Sequence, residues 1–472
     1  MNTQQKSLKQ NFKTIFTTIK NSAGRGSSID MLHGPLAGKL ILFAMPIALS
    51  SMLQQLFNAA DTSVVGHFAD SNALAAVGTN GEIVALLVTL SAGLSVGANV
   101  CIAKCIGENR LSEISDILHT SLLFSLIIGI FGAVLGQFIA RPLLVLIKTP
   151  EEILNQAVLY LRLYFCGFPF LMLYDFASAV LRAKGNSRLP FLALMLSGIL
   201  NVVLNLFFVI VWKWDVAGVA IATSISTAFS AFLVLFSLYR DTSSFHFSIR
   251  KLAFHGKFLS AILKIGIPSA VQGAVFCLAN IFVQASVNRF GTIATAGSTI
   301  AMNFEYFGYY MITAFGQAAT TFTGQNFAAG EQRRCRKILI LCLLFSILFS
   351  AVITVPLTVF RHTFSGLFST SEAVIEAAGL RIMLILCFEP ICGLYEVPAG
   401  VLRGCGHSAL PAAVTVVGTC LLRIIWIFTV FWLHPSLSTL FIIFPISWVV
   451  TILLMAGAFL CCRPLQKTKY YI

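Results

Sequence analysis

Apolar stretches long enough to cross ~30 Å of hydrocarbon, which takes roughly 20 residues at 1.5 Å each, recur along this chain with short polar breaks between them. Twelve can be placed, at 39–64, 77–103, 119–146, 154–180, 189–211, 216–239, 259–287, 297–325, 338–360, 374–401, 408–432 and 437–462. The pattern predicts an all-α integral membrane protein of twelve transmembrane helices. The first 30 residues are polar, with Phe12, Ile15, Phe16 and Ile19 at helical spacing beside Lys9, Lys13 and Lys20. They read either as a disordered tail or as a short helix on an anionic leaflet. No apolar core with a small-residue cleavage site precedes the first span, so no signal peptide is expected.

The polar positions repeat at an offset of 221 to 223 residues. Pro46 matches Pro268, Asn80 and Glu82 match Asn303 and Glu305, and Gly107, Glu108 and Arg110 match Gly330, Glu331 and Arg333. Pro169, Asp175 and Arg182 likewise match Pro390, Glu396 and Arg403. Six crossings per copy make this a parallel repeat, which implies two six-helix bundles around a central cleft. The expected organisation is a polar tail at 1–30, an N-terminal lobe at 31–240, a linker at 241–258, a C-terminal lobe at 259–462 and a tail at 463–472.

Composition agrees with a membrane protein: of 472 residues, 57% are hydrophobic and 11% charged. The net charge of +14 comes from 32 Lys and Arg against 18 Asp and Glu. With the N terminus inside, 24 of the 32 fall in inner segments, 5 in outer loops (Arg141, Lys148, Lys213, Arg289 and Arg361), and Arg162, Arg381 and Arg423 within helices. Both termini are therefore expected in the cytoplasm. A basic excess cut into short loops offers no continuous groove for nucleic acid. The 12 Cys include no C-x-x-C pair and read as reduced apolar residues of helices.

Ionisable and amide side chains inside spans are costly, so each is a functional candidate. Asp61 lies in the outer half of the first span; Asn201 and Asn205, four residues apart, share one face of the fifth; Thr223 and Tyr160 lie at similar depth in the sixth and fourth. A carboxylate ringed by amide and hydroxyl oxygens suits a proton or Na⁺. The alternative puts Asp61 at the outer water interface, but its repeat partner is Val283, and a charge present in one copy alone argues for chemistry. The second bundle offers Gln272, Gln284, Glu305, Glu389, Glu396 and Arg423. Glu305 and Arg423 are at depths that allow a pair, structural or in contact with cargo. Gln54 and the aromatic group around Tyr306 and Tyr309 complete the expected substrate cleft. Asp175 with Arg182 and Glu396 with Arg403 sit at matching inner ends and suggest anchoring or an inner gate. Pro46 and Pro268 each remove a backbone donor and are natural hinges. His pairs at metal-ligand spacing and H-E-x-x-H are missing, so neither an enzyme nor a cofactor is expected.

Four segments carry a family resemblance: FNAADTSVVG at 57–66, the stretch 173–210 containing LRAKGNSRLP, MNFEYFGYYMITAFGQAATTFTGQNFAAGE at 302–331, and LYEVPAGVLRGCGHSALP at 394–411. Together they resemble the multidrug and toxic compound extrusion family. The resemblance implies a twelve-helix antiporter in the bacterial inner membrane, sufficient as a monomer, that exports amphipathic, often cationic compounds against H⁺ or Na⁺. It implies cation coupling at Asp61, with Asn201, Asn205, Thr223 and Tyr160 completing the site. One branch often has Asp where Asn205 stands. Another has acids where Phe276 and Cys392 stand, so a second cation site would need Glu305 or Glu396. The alternative, a flippase for a lipid-linked oligosaccharide, would call for more cations in the cleft than Arg162, Arg381 and Arg423 supply.

Overall fold

The computed structural model describes residues 28–68 and 71–465. The amphipathic stretch around Phe12 and Ile19, and most of the C-terminal tail, lie outside the described residues. Twelve long helical segments run in the expected order. Those of the first half are α1 (Leu36–Phe68), α2 (Ser71–Gly107), α3 (Leu111–Leu146), α4 (Glu151–Ala183), α5 (Arg188–Leu206) and α6 (Asp215–Tyr239). Those of the second are α7 (Gly256–Asn288), α8 (Thr292–Ala328), α9 (Gln332–Val359), α10 (Glu372–Gly404), α11 (Ala409–Leu433) and α12 (Leu437–Cys462). Eleven are long and apolar enough to cross a membrane. The remaining one, α8, has 37 residues but carries Asn303, Glu305, Gln317, Gln325 and Asn326, which lower its hydropathy. Most helices overrun the apolar stretches by several residues, because a helix closes its own hydrogen bonds wherever it runs and need not stop at the hydrocarbon boundary.

Three π-helical turns in the long helices depart from α geometry, as does a 3₁₀ turn at Glu389–Cys392 in α10. A π-helical turn at Phe207–Val211 ends α5, another at Ile382–Leu386 interrupts α10, and a third at Val416–Leu421 interrupts α11. Each π turn widens the helix locally and shifts the faces beyond it.

The two proline-bearing helices change partners along their length. The inner half of α1, from Leu36 to Ala48, packs with Phe315, Phe322, Ile338 and Val401 of the second half, whereas Val64 and Val65 pack with α2, α4 and α6 of the first. In mirror fashion, Ile262 and Ile265 of α7 join the core of α2, α3 and α4, while Val283 and Val287 join α10 and α12. Each helix crosses from one bundle to the other past its proline: Ile47 and Ala48 after Pro46 still pack on the second half, and Ala270 after Pro268 still lies against Gly93 of the first. Beside Pro268 the Ile265 carbonyl accepts from the Ser269 and Ser408 hydroxyls, so the weakened helix finds side-chain donors.

The bundles meet along the end that carries both described termini, hereafter the inner end. Thr321 Oγ1 donates to Asn99 Oδ1 at 3.0 Å, Gln325 Nε2 donates to the Ala183 carbonyl at 2.7 Å, and Gly107 leaves room for the Gln325 carbonyl. The peptide ahead of α1 ties the two together. Ile29 N–H donates to the Gly185 carbonyl, while Asn326 and Arg334 donate to the Met31 carbonyl at 3.0 and 3.1 Å. Met31 itself is buried among Phe327, Cys335 and Cys405.

The connection between α6 and α7 lies against the first bundle. His119 Nε2 accepts from Ser248 N–H, and Lys184 pairs with Asp241. Burial pushes the Asp241 carboxyl up, but hydrogen bonds from Lys184 and Ser243 outweigh it and hold it below the usual value. A depressed carboxyl stabilises the fold above its ordinary pKa and loses that stabilisation as pH falls through the lower folded value. Asp241→Asn is therefore expected to cost about 1 kcal/mol near neutral pH. The gap to wild type should close in strongly acid buffer; thermal denaturation across pH reads both, and a gap that persists there would contradict this account.

Candidate functional site

Helix α1 reaches α5 through an aromatic contact. The Phe57 ring fills the space beside Gly198, where a Cβ would fall 1.7 Å from it. One turn further along both helices, Asp61 arrives opposite Asn201 and Asn205. The Asp61 side chain is 8% exposed. Asn205 Nδ2 donates to Asp61 Oδ1 and, at 3.2 Å, to Asn201 Oδ1; Thr223 Oγ1 lies 3.4 Å from Asp61 Oδ2 and accepts from Asn201 Nδ2 at 3.3 Å. Residues separated by up to 162 positions in sequence thus form one buried polar cluster. Tyr160 is buried alongside, stacked on Tyr164 at 6.3 Å, and lies behind the carboxylate without bonding to it.

As placed, the Asn205 amide donates to the carboxylate and its Oδ1 is buried without a partner. Rotating that amide by half a turn presents Oδ1 instead. The pocket would then offer oxygen from Asp61, Asn201, Asn205 and Thr223, a donor set fitting a small hard cation, or an acceptor for a proton carried by Asp61.

In the second bundle the expected grouping divides into separate sites. Glu305 does not pair with Arg423. Its two oxygens take a bidentate pair from Arg381, at 2.7 and 2.8 Å, with Ser298 also on the guanidinium. Helical rise gives depth alone, and Arg381 of α10 faces Glu305 from the same height. Gln272 Oε1 accepts from Arg403, which also holds Glu396 at 3.2 Å. This trio binds α7 to α10. Asp175 and Arg182 form no such pair within 4.0 Å, so the repeat is not symmetric here. Arg423 is 1% exposed and lies inside the C-terminal bundle. Tyr306 stacks on Tyr310, and Tyr309 on Phe276, on two sides of α8. Gln54 is half-buried, while its neighbour Gln55 is the one that accepts from Tyr310 across the bundles, at 3.3 Å. Gln55 and Arg381 lie within spans as the sequence shows, but their partners Tyr310 and Glu305 are identified only by packing.

The Glu305 pair predicts a stability effect. Glu305→Ala leaves the 4%-exposed Arg381 side chain without its carboxylate and should cost about 3 kcal/mol. A thermal midpoint unchanged from wild type would argue that water reaches the pair.

A family model described as MatE matches residues 46–207 and again 268–429, one match per bundle, together well over half of the chain. The chain belongs to the MatE family. This MatE protein is 26% identical over 383 residues to the probable multidrug resistance protein YoeA of Bacillus subtilis, covering 79% of this chain and 82% of that one. It is 25% identical over 365 residues to a protein of Shewanella oneidensis named FAD transporter, covering 76% and 80%. In three dimensions it matches a MOP superfamily transporter from Pyrococcus furiosus, described as having a binding pocket of reverse polarity. The TM-score is 0.86 at 21% identity, over 93% of this chain and 98% of that one. Family and fold place this MatE protein among multi-pass membrane transporters of small molecules rather than enzymes.

Proposed function

We propose that this MatE protein is a secondary active antiporter that exports amphipathic organic compounds, often cationic, in exchange for H⁺ or Na⁺. The observation that carries the reading is the buried Asp61 carboxylate with Asn205 and Thr223 on it, in a bundle whose partner has Val283 at the corresponding place. The inner end, where the bundles meet, faces the cytoplasm of a bacterial cell, and a single chain suffices. No cofactor is involved; the coupling ion is itself cargo.

In the closed-inside arrangement the ion binds at Asp61 and turns the Asn205 amide, which alters how α1 packs on α5 beyond Pro46. Cargo leaves outward, the ion moves inward, and the bundles rock about Pro46 and Pro268. Coupling requires that ion and cargo favour different arrangements, because a ligand indifferent to the two shifts neither. The relatives' names supply the cargo classes: multidrug resistance points to drug-like cations, and FAD transport to an anionic dinucleotide.

Proteoliposomes containing only this protein test the reading. An imposed Na⁺ gradient and an imposed pH gradient are applied separately while export of a fluorescent organic cation is monitored. Uphill export driven by either identifies the ion; export indifferent to both would dismiss antiport.

A further inference from the structure

Arg423 is a buried charge without a counter-charge. It stands in α11 directly after the π-helical turn Val416–Leu421, among Ile427, Phe431, Phe444 and Trp448. Among the described residues no carboxylate lies within 4.0 Å of it, whereas Arg381 has Glu305, Arg403 has Glu396 and Lys184 has Asp241. The ionisable side chains that act on it are Tyr309, Tyr395, Cys392 and Cys420, all neutral in their ordinary forms near neutral pH. Its contacts are neutral too. Nε donates to Ser447 Oγ at 3.2 Å, Nη1 donates to Asn280 Oδ1 at 3.4 Å, and the guanidinium lies 4.0 Å from the Phe444 ring and 5.8 Å from that of Phe276. Two neutral acceptors and two ring faces return only part of what burying a guanidinium costs. An anion would supply the rest, and a guanidinium fork fits carboxylate or phosphate better than any other group.

We propose that the interior of the C-terminal bundle binds an oxyanion of the exported compound, a carboxylate or phosphate, through Arg423. Phe276 and Asn280 lie one turn apart on α7 and are both partly exposed, and Phe276 is stacked nearly parallel on Tyr309 at 6.1 Å. A flat aromatic body fits against that pair while its anionic group displaces the long Asn280 bond. The polarity is opposite to that of the Asp61 cluster, so the protein handles zwitterions and anions as well as cations. This rests on the efflux reading in that the ligand is cargo.

The test uses two probe pairs that differ by one charged group: rhodamine 110 against its methyl ester rhodamine 123, and FMN against riboflavin. Binding to the purified full-length protein in detergent is read by fluorescence. The expected result is about tenfold tighter binding of the anionic member in at least one pair. Arg423→Gln should remove that preference and leave the neutralised member unchanged, and Arg423→Lys should keep part of it. Discrimination in one pair alone identifies that oxyanion and supports the site. Equal affinities within both pairs in the wild type would overturn it, as would Arg423→Gln weakening both members alike, which marks a purely structural role. Failure of rhodamine 123 export with the preference intact counts against the efflux reading and not against this site.

Discussion

Uphill export of a fluorescent cation by Asp61→Asn protein in proteoliposomes is expected to fall to the level of empty vesicles, while equilibration down the cargo gradient continues. The substitution keeps shape and size, and the neighbours Asn205 and Thr223 can still bond to an amide, so folding should survive. The loss is confined to the group proposed to bind H⁺ or Na⁺. Coupling between two ligands is typically worth about 1–3 kcal/mol, or roughly 5- to 150-fold in their mutual effect. Without it, the steady-state gradient built by the transporter should approach unity. Retention of the full gradient would remove Asp61 from the coupling mechanism.

The second large effect is expected from Gly107→Val. A Cβ at Gly107 would fall 2.2 Å from the Gln325 carbonyl oxygen and 2.6 Å from Ala328 Cβ, atoms of the opposite bundle. The obstruction lies at the junction of α2 and α8 rather than in the core of either bundle, so the bundles should fold and fail to close. Overpacking costs about 1–3 kcal/mol, enough to move a balance between closed and open inner ends by roughly 5- to 150-fold. Transport should fall accordingly, and peptides spanning Thr321 to Gly330 should exchange hydrogen for deuterium faster than in the wild type. Normal exchange with normal transport would show that this junction stays together throughout the cycle.

Much of this was legible in the sequence, and the parts that were not share a physical cause. Helix number and order come from apolar length, which bilayer thickness sets. The Asp61 cluster comes from depth plus the four-residue spacing of Asn201 and Asn205, since two groups on one turn must share a face. The partner of Glu305 was not legible because rise along a helix measures height and says nothing of azimuth. Arg381 and Arg423 both lie within spans, and the π-helical turn at Val416–Leu421 rotates Arg423 away from regular spacing, whereas Arg381 precedes the π turn of α10. The exchange of partners by α1 and α7 beyond Pro46 and Pro268 was invisible for another reason: a repeat reports which helices correspond and not which bundle each half-helix joins.

The peptide ahead of α1 has a consequence for how the resting orientation is set. Opening the inner end would part Ile29 from Gly185, or Met31 from Asn326 and Arg334. At about 1 kcal/mol for each hydrogen bond broken, a few residues ahead of α1 would act as ballast on the closed side of the proposed cycle. The set-point of the cycle is thereby adjustable by changes to that peptide alone, independently of the ion site and the cargo pocket.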